Sequence, residues 1–298
     1  MRYKGWLALA AANSLFGMNF VLFSSLTENY MSYELLFLIV VGVNAIFFAP
    51  AIFKKASMRF TFKEFSILAL TSMVIVYGKE YYMIKGASHT IAADSSTIAT
   101  LAPVVTLSLS ALLHREKLHM AKIIGVLLAF IGSAVLLYDN FRNPAESSYL
   151  LGNLMILVSV FAGASNTVFI RPVITNYPSY FVMGWTYIIG VLITYPFFAP
   201  FADWSQLLHM PQQGWYELIT LSVLGTALPT FFLYYGVKQL TSVHTAIFSY
   251  FQPVAAVALG WMIGRNIHFD IANYIAFGIM FAGILFISFA YGKFELKK

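Results

Sequence analysis

Long apolar segments separated by short polar connections make up almost the whole chain. They fall at 5–24, 33–53, 64–84, 91–113, 120–137, 150–170, 179–199, 214–236, 243–263 and 272–291. A helix needs about 20 predominantly apolar residues to cross a bilayer, whereas a strand of a membrane barrel alternates apolar and polar residues. Runs such as Ile123 to Leu137 do not alternate. The pattern therefore predicts ten transmembrane helices, numbered here spans 1 to 10 in chain order.

The composition agrees with an all-α polytopic membrane protein. Of the 298 residues, 60% are hydrophobic and only 10% are charged, and the mean hydropathy is +0.77. A soluble domain carries about 25% charged residues, so this chain has too few charges to cover a surface that faces water. A soluble enzyme, a coiled coil and a disordered chain are therefore excluded. The chain contains no cysteine, so disulfides and thiolate metal sites are excluded as well.

The basic residues indicate the direction of each span. Lys and Arg are enriched in cytoplasmic loops. With a cytoplasmic N-terminus, 14 of the 18 basic residues lie inside, and only Lys79, Lys85, Arg142 and Arg265 lie outside. We therefore expect both termini in the cytoplasm. The net charge of +6 follows from this topology and requires no acidic partner, so no nucleic acid is expected.

Two segments of the chain look like copies of each other. Spans 4 and 9 each contain a proline at the corresponding place, Pro103 and Pro253, and spans 1 and 6 can be aligned through Asn19 and Asn166. The loop after span 2 is rich in Lys and Arg, whereas its counterpart after span 7 has none. Chance similarity between Leu- and Ala-rich helices is the alternative explanation for the matched positions.

We predict two five-span repeats, 1–148 and 149–298, that form one structural bundle. Because five is an odd number, the second repeat must enter the membrane upside down relative to the first. Inverted repeats place the substrate near the bilayer midplane, where the halves meet and alternate access to the two sides.

A short motif in span 1 and the residues around span 4 match a known family. Phe16-Gly17-Met18-Asn19 is similar to a Trp-Gly-x-Asn motif, with Phe in place of Trp, and Glu116-Lys117-Leu118 follows span 4. With Pro103 and Pro253, they resemble the EamA-type ten-helix carriers of the drug/metabolite transporter superfamily. Asn266 departs from the Glu that often follows span 9. The resemblance implies a carrier of small metabolites or drugs, usually an exporter, that works without ATP.

Charged residues inside the spans are the first candidates for a substrate site. An ionisable side chain at the bilayer centre costs about 2.5–3.5 kcal/mol on insertion scales, so it persists when it is paired, hydrated or functional. We expect Tyr77, Glu80 and Tyr81 of span 3 to share one helical face. Asp94 of span 4 is expected at a similar depth, with Lys79 close enough to pair with one carboxylate. This cluster is either a site for a charged substrate or a proton, or a structural ion pair.

Neutral polar residues provide further candidates, although helix packing is the more common explanation for any one of them; Gln252 beside Pro253 is the best exception. Pro253 frees the carbonyl of Ser249, and Pro103 that of Ala99, and irregular backbone at membrane depth is tolerated where it lines a cavity. The predicted substrate-binding residues are Tyr77, Lys79, Glu80, Tyr81, Asp94, Asn19, Asn166, Tyr235, Ser249 and Gln252.

These observations predict a secondary active transporter of the inner membrane. We expect it to export small organic metabolites, such as amino acids or aromatic and drug-like compounds, by alternating access, with proton coupling at an unpaired carboxylate. No cofactor and no metal are expected, because the six His residues form no His-Glu-x-x-His pattern. A membrane-embedded enzyme acting on a lipid-linked substrate and a passive channel are the alternatives. The sequence does not determine the oligomeric state.

Overall fold

A computed structural model gives the structure of the protein. It describes residues 2–54, 59–114, 147–240 and 248–262, and the separate positions 120, 124, 127, 128, 131, 245, 271, 274, 275, 278, 279, 281 and 282. The long described segments are helical and contain no strand, so the all-α prediction is confirmed. Predicted spans 5 and 10 lie outside these continuous segments.

The described spans are long, apolar helices. Six of them are long and apolar enough to cross a membrane: spans 1, 2, 3, 6, 7 and 8. The observed helices are Arg2–Asn29 (span 1), Tyr33–Lys54 (span 2), Phe62–Ala87 (span 3), Ala92–Ala99 and Ala102–His114 (span 4), Ser147–Phe169 (span 6), Ser179–Phe198 (span 7), Gln212–Gln239 (span 8) and Phe251–Met262 (span 9). A short helix, Arg171–Asn176, connects spans 6 and 7.

The two halves interlock, and their contacts are reciprocal. Span 1 packs against spans 8 and 9, and its counterpart, span 6, packs against spans 3 and 4. Spans 2 and 7, which are counterparts of each other, pack together. Spans 3 and 6 run antiparallel, because Gly86 lies against Gly152 and Gly78 lies against Ala162. Exchanging the two halves therefore reproduces the same set of helix pairs, as expected for two related repeats.

In both spans 4 and 9, the described backbone is irregular just before the proline. Span 4 stops at Ala99 and resumes at Ala102, next to Pro103. In span 9, a 3₁₀ turn over Phe248–Tyr250 precedes the helix that contains Pro253. Proline lacks an N–H group and clashes with the carbonyl four residues earlier, so it breaks the α-helical hydrogen-bond ladder. The irregular backbone expected in both spans is observed.

A second irregularity, which the sequence did not reveal, lies in the middle of spans 3 and 8. Each contains a π-helical segment, Val74–Tyr81 in span 3 and Leu221–Ala227 in span 8. Their first residues are 147 positions apart, the same separation as between Asn19 and Asn166. The fold thus repeats this rare geometry, which is frequent at functional sites, at matching positions of both halves.

Polar contacts between the halves hold the bundle at one end. Thr61 caps the start of span 3 through a reciprocal capping box with Glu64. The Glu64 carboxylate also accepts hydrogen bonds from Asn176 Nδ2 (3.0 Å) and from the Tyr177 hydroxyl (2.8 Å). These contacts tie the start of span 3 to the connection between spans 6 and 7.

Candidate functional site

A cavity of about 110 Å³ lies where the halves meet. Its walls come from spans 1, 3 and 4 of the first half and from the corresponding spans 6, 8 and 9 of the second half. The two π-helical spans and the two interrupted spans all contribute residues to this cavity.

An ion pair forms one wall of the cavity. Lys79 Nζ lies 2.8 Å from Glu80 Oε1, and the two side chains are 17% and 4% exposed. The ammonium group also lies 4.9 Å from the centre of the Phe16 ring, a distance typical of a cation–π contact. The stem of Lys79 packs on Gly163, where an added Cβ would lie 3.3 Å from Lys79 Cδ. Phe16 and Gly163 therefore hold the lysine from spans 1 and 6.

The cavity carries no net charge from the described residues that line it. Lys79 and Glu80 are the only charged side chains among them, and they neutralise each other. The remaining walls are aromatic and aliphatic side chains, hydroxyls and amides. A binding site of this kind fits a small molecule that is neutral overall and has both polar and apolar parts.

Four amide side chains reach the cavity from both halves. Gln252 Nε2 donates to Asn13 Oδ1 (2.8 Å), and Asn13 Nδ2 donates to the Leu9 carbonyl (2.9 Å). Asn19 Nδ2 donates to the Gly225 carbonyl (2.7 Å), whereas Asn166 Nδ2 makes a long contact of 3.4 Å with the Tyr234 hydroxyl oxygen.

Two of these amides leave a buried oxygen without a partner. Asn19 is 6% exposed and Asn166 is 2% exposed, and within the described part of the chain the Oδ1 atom of each accepts no hydrogen bond. A buried polar atom without a partner costs about 1–3 kcal/mol. Asn19 Oδ1 lies against the Cα of Gly225, so of the two oxygens it is that of Asn166, a residue of the cavity wall, that is suited to accept a hydrogen bond from a ligand.

The expected common face of Tyr77, Glu80 and Tyr81 is not observed. Tyr77 and Tyr81 stack on each other, with ring centres 5.3 Å apart, and contact Phe198 of span 7. Neither ring lines the cavity, whereas Glu80 does. The cause is the π-helical segment. Its hydrogen bonds span five residues instead of four, so each turn contains more residues than in an α-helix, and residues four apart share a face better than residues three apart.

Asp94, which we expected near Lys79, makes its polar contact elsewhere. Asn153 Nδ2 donates to Asp94 Oδ2 (3.0 Å), and the Thr90 hydroxyl donates to Asn153 Oδ1 (2.6 Å). Lys79 pairs with Glu80 instead. Among the described residues that line the cavity are Lys79 and Glu80, but not Asp94.

Two further candidates lie outside the cavity wall. Tyr235 lines a shallow pocket near the end of span 8, together with Lys238. Ser249 is buried in the 3₁₀ turn of span 9, and its hydroxyl has no hydrogen-bond partner among the described residues. Of the ten predicted residues, the cavity brings together Asn19, Lys79, Glu80, Asn166 and Gln252.

Some lining residues were missed although a signal for them existed. Asn13, Ser159, Gly163 and Thr245 lie at helical spacing from other small or polar residues of spans 1, 6 and 9, a pattern for which helix packing is the usual explanation. Phe16 belongs to the motif of span 1 but was not a candidate. All five line the cavity.

Proteins similar to this chain are transporters by name. The uncharacterized transporter YetK of Bacillus subtilis (strain 168) is 26% identical over 290 residues, which cover 94% of this chain and 85% of YetK. The uncharacterized inner membrane transporter YicL of Salmonella typhimurium is 26% identical over 201 residues, which cover 66% of this chain and 64% of YicL. A solved crystal structure shares the fold, with a TM-score of 0.68 at 18% identity over 96% of this chain and 97% of that chain.

The family match covers both halves. The model of the EamA-like transporter family matches residues 3–138 and, a second time, residues 150–289. Together with the named relatives, this match shows a multi-pass membrane transporter and rules out the membrane-embedded enzyme. The chain belongs to the EamA-like transporter family.

Proposed function

We propose that this protein is a secondary active transporter that exports a small organic metabolite through the central cavity. The observation that carries the proposal is the composition of the cavity wall. Corresponding spans of both halves surround it, and the charged pair Lys79–Glu80 lies in it. Secondary transporters built from inverted repeats bind their substrates at this place, beside discontinuous helices.

The reciprocal helix contacts support alternating access. Spans 1 and 8 form the same kind of pair as spans 6 and 3, so rocking one half against the other exchanges two similar interfaces. Since the gain at one interface offsets the loss at the other, the two states can have similar free energies. A carrier needs this balance, because a transition between unequal states would be slow in one direction.

The cavity chemistry supports a zwitterionic substrate such as an amino acid. The Lys79 ammonium group can bind a carboxylate, and Glu80 can bind an amino group. The ring of Phe16 and those of Phe20 and Phe23 provide an apolar wall for a side chain. Aromatic and other drug-like compounds remain the second class of substrate, for which the cavity must widen.

Coupling to protons is the proposed source of energy. Glu80 is nearly buried and has one cation beside it, which a substrate carboxylate can draw away. A carboxylate without its cation in a low-dielectric site takes up a proton more readily. We expect Glu80→Gln to abolish the pH dependence of export and Asp94→Asn to retain it. Unchanged pH dependence in both variants would refute proton coupling at these carboxylates.

We place the protein in the inner membrane with both termini in the cytoplasm, on the basis of its Lys and Arg distribution. The cysteine-free chain allows a direct test of this orientation. Single cysteines at the exposed positions Arg59 and Gln213 should react with a membrane-impermeant thiol reagent from opposite sides. Labelling of both from the same side would overturn the topology.

Export itself is tested with a metabolite panel. Culture medium is compared for cells that express the wild-type protein, Glu80→Gln or no transporter. We expect one class of small metabolites to accumulate in the medium with the wild-type protein and not in transporter-free cells, and to accumulate less, without pH dependence, with Glu80→Gln. Glu217→Gln is the matched control, because Glu217 lies in span 8 outside the cavity. The proposal would be refuted if the medium of wild-type cells, with the protein present in the membrane, contained the same metabolites at the same levels as the medium of transporter-free cells.

The same assay separates a carrier from a passive channel. A channel would show a continuous ring of charges or carbonyl groups along a pore, whereas the cavity has one ion pair. We therefore expect export against a concentration gradient, which dissipation of the proton gradient abolishes. Equilibration without concentration would favour the channel.

A further inference from the structure

Two corresponding asparagines lie on helices that pack against corresponding π-helical segments, but only one of them contacts the segment through its side chain. Asn19 of span 1 and Asn166 of span 6 are counterparts in the repeat. Gly225 in the π-helical segment of span 8 and Gly78 in that of span 3 are also counterparts, with the same separation of 147 residues. If the structure were fully symmetric, both asparagines would bind the opposing π-helical segment.

The first contact is closed. Asn19 Nδ2 donates to the Gly225 carbonyl oxygen (2.7 Å), and Asn19 Oδ1 lies against the Cα of Gly225, where a Cβ would collide with it. A side chain at position 225 would therefore collide with Asn19. The Asn19 amide is hydrogen-bonded to the irregular backbone of span 8.

The second contact is open. Among the described atoms, only Ala162 Cβ comes within 4 Å of the place where Gly78 would carry a Cβ, at 3.0 Å. Asn166 lies one helical turn beyond Ala162 and points its Nδ2 at the Tyr234 hydroxyl, at the long distance of 3.4 Å. Its buried Oδ1 accepts no hydrogen bond within the described part of the chain, so Asn166 is held only weakly in its present position.

This difference has a direct interpretation in a transporter built from inverted repeats. When such a transporter turns to the other side of the membrane, the two halves exchange their conformations. The contact that is closed in one half then opens, and the corresponding open contact closes. Asn19–Gly225 and Asn166–Gly78 are such a pair of contacts.

We propose that Asn19 and Asn166 are positioning residues that alternately clamp the π-helical segments of spans 8 and 3. In the state described here, Asn19 holds span 8 and Asn166 is released. In the opposite state, Asn166 Nδ2 leaves Tyr234 and donates to the Gly78 carbonyl, and Asn19 releases Gly225. This inference rests on the proposed alternating access, and it assigns to both asparagines a role in the conformational equilibrium.

The test measures which end of the cavity is open, without any substrate. Single cysteines replace Met83 or Thr167, which line the cavity near the Ala87 end of span 3 and the Phe169 end of span 6. Because these spans are antiparallel, the two reporters lie toward opposite ends. The ratio of their reaction rates with a water-soluble thiol reagent then reports the balance of the two states in purified protein.

Removal of each clamp should shift this ratio in opposite directions. Asn19→Ala removes a short bond of the present state, and Asn166→Ala removes the proposed bond of the opposite state while losing only the long 3.4 Å contact in the present one. A hydrogen bond of ordinary strength corresponds to a change of about threefold or more in the equilibrium, so we expect the rate ratio to move by at least that factor. Asn29→Ala is the matched control, because within the described part of the chain its amide bonds only the Ser25 carbonyl of its own helix.

Shifts of both variants in the same direction, or no shift in either, would overturn the clamps. If an alanine variant does not fold, the isosteric Asn19→Leu and Asn166→Leu, which also lack the donor, decide the question. Export by the wild-type protein separates the two proposals. Parallel shifts together with normal wild-type export refute only the clamps, whereas absent wild-type export refutes the proposed function.

Discussion

The π-helical segments of spans 3 and 8 have the same backbone geometry but different chemistry. Both begin at corresponding residues and both contain a glycine at the corresponding place. The segment of span 3 then carries Lys79 and Glu80, where span 8 has Thr226 and Ala227. Thr226 donates to the Ser222 carbonyl of its own helix and accepts from Asn44 of span 2, so it contributes to packing.

This difference separates two requirements of a carrier. The movement of two inverted halves requires that they have similar backbones, because each must adopt the conformation of the other. Recognition of a substrate has no such requirement, so the charged residues of the described cavity wall come from one half only. A symmetric fold can therefore hold an asymmetric site, as long as the side chains do not change the path of the backbone.

The largest expected effect tests the charge difference itself. Glu80→Leu leaves the Lys79 ammonium group buried without its carboxylate, and breaking one partner of a buried pair costs about 3–5 kcal/mol. The double variant Lys79→Met/Glu80→Leu should regain most of this free energy of unfolding and still lack export. Unfolding of the single and the double variant in detergent measures their stability, and the metabolite panel measures export. Equal stability of the single variant and the wild-type protein would show that the pair is solvated.

The next effect compares the two glycines. A Cβ at residue 225 collides with Asn19 Oδ1, whereas a Cβ at residue 78 meets the Ala162 methyl group at 3.0 Å. Overpacking costs about 1–3 kcal/mol, so we expect Gly225→Ala to lose about 2 kcal/mol and Gly78→Ala clearly less. Thermal unfolding of both variants in one detergent checks the order. A larger loss for Gly78→Ala would contradict the assignment of the closed contact.

A smaller effect tests how span 1 supports the lysine of span 3. The Phe16 ring lies under the Lys79 ammonium group, and a desolvated cation–π contact contributes about 1–2 kcal/mol. Phe16→Leu, Lys79→Met and their combination form a double-mutant cycle, which removes the effect of lost volume. We expect a coupling of about 1 kcal/mol. Additive losses would mean that the ring only fills space.

The smallest effect belongs to the uncharged segment of span 8. Thr226→Val removes a hydroxyl that donates to Ser222 and accepts from Asn44 at 2.9 Å. The Asn44 amide keeps its bond to the Val40 carbonyl (2.7 Å), so we expect a loss of about 0.5–1 kcal/mol and unchanged export. Loss of export without loss of stability would show that Thr226 has a part in transport that we did not assign.

The sequence was most informative where a local rule acts. Long apolar runs predict membrane helices because a bilayer satisfies no backbone polar group. Pro103 and Pro253 predict irregular backbone in spans 4 and 9 whichever helices pack against these spans, because a proline lacks the N–H group that the helix needs. The alignment of Asn19 with Asn166 also predicted which residues correspond. The family resemblance, drawn from short motifs, is confirmed by the match over both halves.

The contents of the site depended on the tertiary structure. An α-helical period grouped Glu80 with Tyr77 and Tyr81, but the π-helical segment turns the carboxylate into the cavity and the two rings toward span 7. Asp94 carries a carboxylate, as Glu80 does, but it accepts a hydrogen bond from Asn153 of span 6 and is not among the described residues that line the cavity. Local sequence determines which segments enter the membrane, because burial in lipid acts on each helix alone. Which side chains meet depends on helix phase and on the facing helix, and only packing decides these.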